Sequence, residues 1–160
     1  MEEPILRGAQ AADARERERL LAARAERTAR ADYLQPVPQP DGVSARGAEL
    51  WVAEALRWLG AEDIVVTQHS GDGGVDVLTS EYAVSVKHYA GSIPVEEVRE
   101  IFGVSTVMKL TPPLWTSGSL TQGGDAFADA APVAVFRYTV ETARISALNR
   151  HAQELLDRGL

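Results

Sequence analysis

At 160 residues with 45% apolar content, the chain can fill one compact core and carry a short appended segment. The lack of cysteine excludes disulfides and any thiolate zinc site, and no apolar run reaches the length that spans a bilayer. A net charge of −7, from 16 basic and 23 acidic residues, opposes long-range attraction of polyanions, although carboxylate-bound cations reverse such a field locally.

Met1-Glu2-Glu3-Pro4 lacks the charged-then-apolar pattern of a leader, so a soluble cytoplasmic protein without membrane contact is expected. Residues 1–33 read as a helical arm, since Ala, Arg and Glu dominate and neither Gly nor Pro follows Gly8. Leu20 and Leu21 set up no heptad, so a solvated arm is the plain reading. A DNA-contacting helix, or one that pairs copies into a homodimer, is the alternative. Residues 34–43, with Pro36, Pro38 and Pro40, read as an extended, semi-rigid linker at a domain boundary.

The globular pattern occupies residues 44–160. Ser44 caps a helix that Gly60 stops, and Ile64 to Thr67, Val75 to Thr79 and Tyr82 to Tyr89 read as three strands. Pro94 opens a helix with Glu96 and Glu97 in its first turn. A strand over Pro113–Thr116, a helix over Gln122–Ala130, a strand over Val133–Tyr138 and a helix over Thr142–Leu156 complete the order αβββαβαβα.

Chemistry concentrates in Ser70-Gly71-Asp72-Gly73-Gly74-Val75-Asp76-Val77 and in Val84-Ser85-Val86-Lys87-His88-Tyr89. A glycine turn feeds Asp76 into an apolar strand, and the next apolar strand carries Lys87; burying either charge alone is costly. With Ser80-Glu81 as the turn, Thr79 faces Tyr82 and Asp76 faces Ser85, with Lys87 one diagonal step away on the same face. Val75, Val77, Tyr82, Val84 and Val86 then form the opposite, core layer. Glu49 shares a helical stripe with Val52, Ala53, Leu56 and Leu59. A metal shared with Asp76 explains a carboxylate there, and so does the dipole of the helix's first turn.

Other conspicuous residues have plainer readings. Asp72 suits turn chemistry, His69 an exposed loop, and His88 a structural or solvent-facing position opposite Lys87. Trp51 and Trp58 read as a packing stripe against another helix, for which the arm is a candidate. The glycine loop enters a strand and lacks Gly-Lys-Ser/Thr, which argues against a nucleotide P-loop. Thr116, Ser117, Ser119 and Thr121 suit a strand end and helix cap, with phosphate binding at that helix N-terminus as the alternative.

From about Ser44 onward, roughly three quarters of the chain resembles the Mrr-like restriction endonucleases of the PD-(D/E)xK nuclease superfamily. The matching residues are Gly47-Ala48-Glu49, Gly71-Asp72-Gly73-Gly74-Val75-Asp76, Ser85-Val86-Lys87-His88-Tyr89 and Thr116-Ser117-Gly118-Ser119-Leu120-Thr121, with Ala126-Phe127-Ala128 after them. The resemblance implies an α/β fold with a restriction-endonuclease-like αβββαβ core, its mixed central sheet flanked by helices. It implies Mg²⁺, with Mn²⁺ able to substitute, held by Asp76, Glu49 and the Val86 carbonyl, with Lys87 catalytic and DNA as the partner cut in defence against foreign DNA. Ser85 stands where the family has Gln and the superfamily Glu. A catalytically weakened fold that binds nucleic acid or protein is therefore the alternative.

Overall fold

The structure is a computed structural model and describes residues 3–30, 35–68 and 74–160. The glycine-turn residues 69–73, with His69 and Asp72 among them, lie outside the described residues, as does Leu34 of the linker. The elements run α1 (Glu3–Arg30), α2 (Ala45–Trp58), β1 (Val65–Val66), β2 (Val77–Leu78), β3 (Ala83–Lys87), β4 (Ser92–Ile93), α3 (Val95–Met108), β5 (Pro113–Thr116), β6 (Ser119–Leu120), α4 (Gln122–Ala130), β7 (Ala134–Thr139), β8 (Arg144–Ala147) and α5 (Arg150–Arg158).

Local chemistry fixes the helix starts. The Ser44 hydroxyl accepts from the Gly47 N–H at 3.0 Å to begin α2, and Thr121 does the same for Gly124 at 3.1 Å to begin α4. Pro94 precedes α3, whose first turn holds Glu96 and Glu97, and Lys109 ends it in the left-handed conformation.

Six strands form one sheet in the order β1-β2-β3-β5-β7-β8. β1, β2 and β3 pair antiparallel, β3, β5 and β7 pair parallel, and β8 returns antiparallel on β7. A mixed sheet of this kind has apolar layers on both faces. On one face α2 and α5 bring Val52, Leu56 and Leu155 against Val77, Val84, Trp115 and Phe136; on the other, α3 and α4 bring Val98, Ile101 and Ala128 against Ala83, Leu114 and Val135. β4 and β6 form a separate two-stranded parallel ladder that was not foreseen.

Two expectations change. The single helix over Thr142–Leu156 is instead strand β8 and helix α5. Arg144 to Ala147 alternates exposed and half-buried, a period of two, and Asn149 then caps α5 by accepting from the Ala152 N–H at 3.0 Å. Trp51 packs on Tyr138 of the sheet, with ring centroids 5.7 Å apart, while the arm helix α1 meets α5. The described part of the linker is docked: the Trp51 indole donates to the Val37 carbonyl at 3.2 Å, and the Gln39 N–H to the Val140 carbonyl at 2.8 Å. Residues 11–23 of α1 are exposed throughout. Among the described residues no helix is long and apolar enough to cross a membrane.

Candidate active site

The β2–β3 hairpin has the anticipated register, with Val77 opposite Val84, Leu78 opposite Ala83, and the Thr79 N–H on the Tyr82 carbonyl at 2.9 Å. At Asp76 the ladder breaks. Its N–H donates to the Val84 carbonyl at 2.8 Å, while its Oδ2 accepts from the Val86 N–H at 2.7 Å. A side chain has replaced a main-chain partner, which is how a bulged strand satisfies its neighbour. The consequence shows in the valines. Val77, Val84 and Val86 lie in the α2 layer as expected, but Val75 crosses to the α3 layer, because the break resets the alternation.

Strand geometry assigns the remaining main-chain groups. The Lys87 carbonyl accepts from the Ser117 N–H at 3.0 Å, on the β5 side. Residue 86 therefore turns both its N–H and its carbonyl toward the opposite edge, where Asp76 stands.

Lys87 leaves β3 on the face covered by α3, and its Nζ lies 3.5 Å from Glu97 Oε2. The Tyr89 hydroxyl donates to the same oxygen at 3.2 Å. Burial, then the Glu97 charge and the hydrogen bond to it, push the Tyr89 phenol above its usual pKa, so it stays a donor. Glu49 comes from α2, over the face of the sheet opposite to the one on which Lys87 leaves β3. Ser85 alternates with Val84 and Val86, pairs with Leu114 and is 1% exposed. No group of three or more His, Asp or Glu side chains converges as a metal cluster among the described residues.

Glu49 is 5% exposed, and its carboxylate meets Arg46 at 2.8 Å; the same guanidinium nitrogen donates to the Thr67 carbonyl. Tyr138, near the end of β7, gathers the acids of this region. Burial raises its phenol far above the ordinary value, a hydrogen bond with Ser117 opposes this, and the charges of Asp76, Glu141 and Glu49 add to the rise. His88 sits beside it, half-buried, with Nδ1 at 3.0 Å from the Tyr138 oxygen and Nε2 at 3.2 Å from the Val43 carbonyl. A carbonyl only accepts, so Nε2 carries the proton and Nδ1 accepts from the phenol. His88 is structural, as the strand alternation suggested.

The glycine in Thr116-Ser117-Gly118-Ser119 has a steric reason. A Cβ on Gly118 would sit 2.3 Å from the Gly91 carbonyl oxygen and 2.7 Å from that of Tyr89. The segment just after Lys87 is thus pressed directly onto the β5–β6 turn, where the Ser117 hydroxyl also donates to the Tyr89 carbonyl at 3.2 Å. Thr121 serves as a helix cap and Thr116 as a strand end whose hydroxyl accepts from the Gly118 N–H at 2.9 Å. Arg46, Glu97 and Tyr138 were not singled out from the sequence. The short connection from Lys87 to a helix with acids in its first turn was a signal for Glu97; Tyr138, two strands away, gave none.

A mixed sheet carrying an aspartate at a broken hairpin ladder and a lysine beside it, flanked by helices on both faces, defines a restriction-endonuclease-like α/β protein. A family model described as restriction endonuclease, the Mrr catalytic domain, matches residues 41–140, and the chain belongs to that family. Comparison with curated proteins and with solved structures gave no match.

Proposed function

We propose that this protein is a Mg²⁺-dependent endonuclease that hydrolyses DNA phosphodiester bonds, with Mn²⁺ able to substitute and defence against foreign DNA as its setting. The observation that carries this reading is the Asp76 carboxylate at the end of the β2–β3 ladder, hydrogen-bonded to the Val86 main chain one residue before Lys87. Asp76, Glu49 and the Val86 carbonyl are all oxygen donors, the set that Mg²⁺ prefers. The acids whose charges raise the Tyr138 phenol mark a locally negative site that suits a dication. When bound, the metal supplies Lewis-acid polarisation of the phosphate and a more acidic water.

The chain's own groups do the rest. Lys87 orients the attacking water and offsets the charge that grows on the phosphate oxygens. Arg46 keeps the buried Glu49 carboxylate in one orientation. One chain carries one such site, so cutting both strands calls for two copies.

Purified protein with Mg²⁺ or Mn²⁺ is expected to cut DNA, and the Asp76→Ala and Lys87→Ala variants are expected to keep only a small residual rate. Intact substrate after incubation of wild type with methylated, unmethylated, single-stranded and junction DNA would reject the reading. The buried Ser85 favours a second reading, a nuclease fold kept for binding nucleic acid or protein. Binding that ignores EDTA, together with cleavage switched on by Ser85→Gln, is the outcome that supports it.

A further inference from the structure

We infer that Glu97 is a positioning residue for Lys87, fixing the ammonium from α3 across the sheet face. The inference rests on the nuclease reading above. A lysine ends in a compact charge on a four-carbon stem with large rotamer freedom, so placing it for catalysis requires a restraint. The main chain around it is already fixed: the Lys87 carbonyl is bonded to Ser117, and the loop through Tyr89 and Gly91 presses on Gly118. None of that holds the side chain. Two residues earlier on the same face, Ser85 is short and 1% exposed, and it is engaged in the packed sheet.

Glu97 supplies the restraint. Its Oε2 lies 3.5 Å from Lys87 Nζ as an ion pair and accepts a hydrogen bond from the Tyr89 hydroxyl at 3.2 Å, so one oxygen serves both Lys87 and Tyr89 just beyond it. The carboxylate is itself well anchored. Glu97 lies in the first turn of α3, where the helix dipole favours an anion, and its N–H is bonded to the Pro94 carbonyl at 3.2 Å. The next residue, Val98, is fully buried against the sheet. The pair is partly shielded, with the Lys87 and Glu97 side chains 22% and 32% exposed.

The chain has two lysines, Lys87 and Lys109, which permits a readout independent of turnover. The test is a double-mutant cycle over Lys87→Ala and Glu97→Gln, with Glu97→Asp as the conservative variant. It measures kcat and KM for DNA cleavage, thermal midpoint, and the rate of Lys87 acetylation relative to Lys109 by mass spectrometry. Glu97→Gln is expected to lower kcat about 10- to 100-fold with KM little changed, the scale of a misplaced catalytic group. Glu97→Asp is expected to recover part of the loss, and Glu97→Gln to cost nothing further once Lys87 is Ala. Acetylation of Lys87, but not of Lys109, should rise severalfold in Glu97→Gln. Cleavage by wild type with multiplicative losses around the cycle, or with unchanged Lys87 labelling, overturns the inference alone. No metal-dependent cleavage by wild type overturns the nuclease reading and the inference with it.

Discussion

The two edges of β3 are built on opposite principles. Toward β5 the ladder is continuous and parallel, from Ser85↔Leu114 to Lys87↔Thr116, and it extends to the Lys87 carbonyl on Ser117. Toward β2 the regular pairs are Val77↔Val84 and Leu78↔Ala83, after which the Asp76 carboxylate takes the Val86 N–H. The first edge is a scaffold in which consecutive residues pair main chain to main chain. The second leaves main-chain groups for other uses, and the acid is found there. The site proposed above occupies the place where pairing lapses, next to a ladder that holds the same strand still.

The comparison can be broken most sharply at Asp76. Asp76→Asn keeps an acceptor for the Val86 N–H but loses the charge. Cleavage is expected to fall by about 10²- to 10³-fold or more while the thermal midpoint holds. Asp76→Ala should lose cleavage equally and, by leaving that N–H without its acceptor, about 1 kcal/mol of stability as well. Equal melting of the two variants would show that the hydrogen bond does not hold the break together. On the scaffold edge, Gly118→Ala drives a methyl into two backbone carbonyls and should cost roughly 1–3 kcal/mol. For a chain of this size that is about 2–4 °C of midpoint per kcal/mol, and cleavage should fall with it because the strand end bearing Lys87 must shift.

At the far side of the sheet, Asn149 accepts from the Ala152 and Val135 N–H groups and donates to the Val133 carbonyl. Asn149→Ala should therefore cost about 1–2 kcal/mol in chemical denaturation with cleavage unchanged at a temperature where the variant is folded. A loss of cleavage there would mean that the two edges are not independent.

The smallest effect at neutral pH belongs to Tyr138→Phe, which leaves His88 Nδ1 without its donor, a cost of about 1 kcal/mol. Its signature lies at high pH. Because folding raises this phenol's pKa, its contribution is complete below the unfolded value near 10 and drains away as pH climbs beyond it. Wild type should lose urea resistance more steeply than Tyr138→Phe as pH rises from about 10 to about 12; parallel slopes would refute the assignment.

What the sequence made legible follows the range of the forces involved. Ser44, Thr121 and Pro94 mark helix starts because caps act within one turn, and the Thr79–Tyr82 register could be counted from the turn. β8 was missed because the connection Val140-Glu141-Thr142-Ala143 has no Gly, Pro or Asn, and the chain turns with Ala143 at φ 52°. The break at Asp76 has a side-chain-to-backbone bond as its cause, which no periodicity encodes. Glu97 and Tyr138 reach the site across the fold, and only packing announces them. Residues 41–140, matched to the restriction-endonuclease family, contain all of these groups but not β8 or α5, which complete the sheet and one of its layers.

The His88 bridge sets a dimension. Val43 lies just before the cap of the helix that carries Glu49, and His88 follows Lys87 directly, so one imidazole spans the segments that carry these two residues. Tyr138 donates to Nδ1 and Nε2 donates to Val43, a one-way chain that ties β7, β3 and α2 together. The spacing between the two functional segments is thus gauged by a rigid aromatic ring and not by the attraction of the charges they bear. It is a ruler whose length is set by the ring and its two hydrogen bonds.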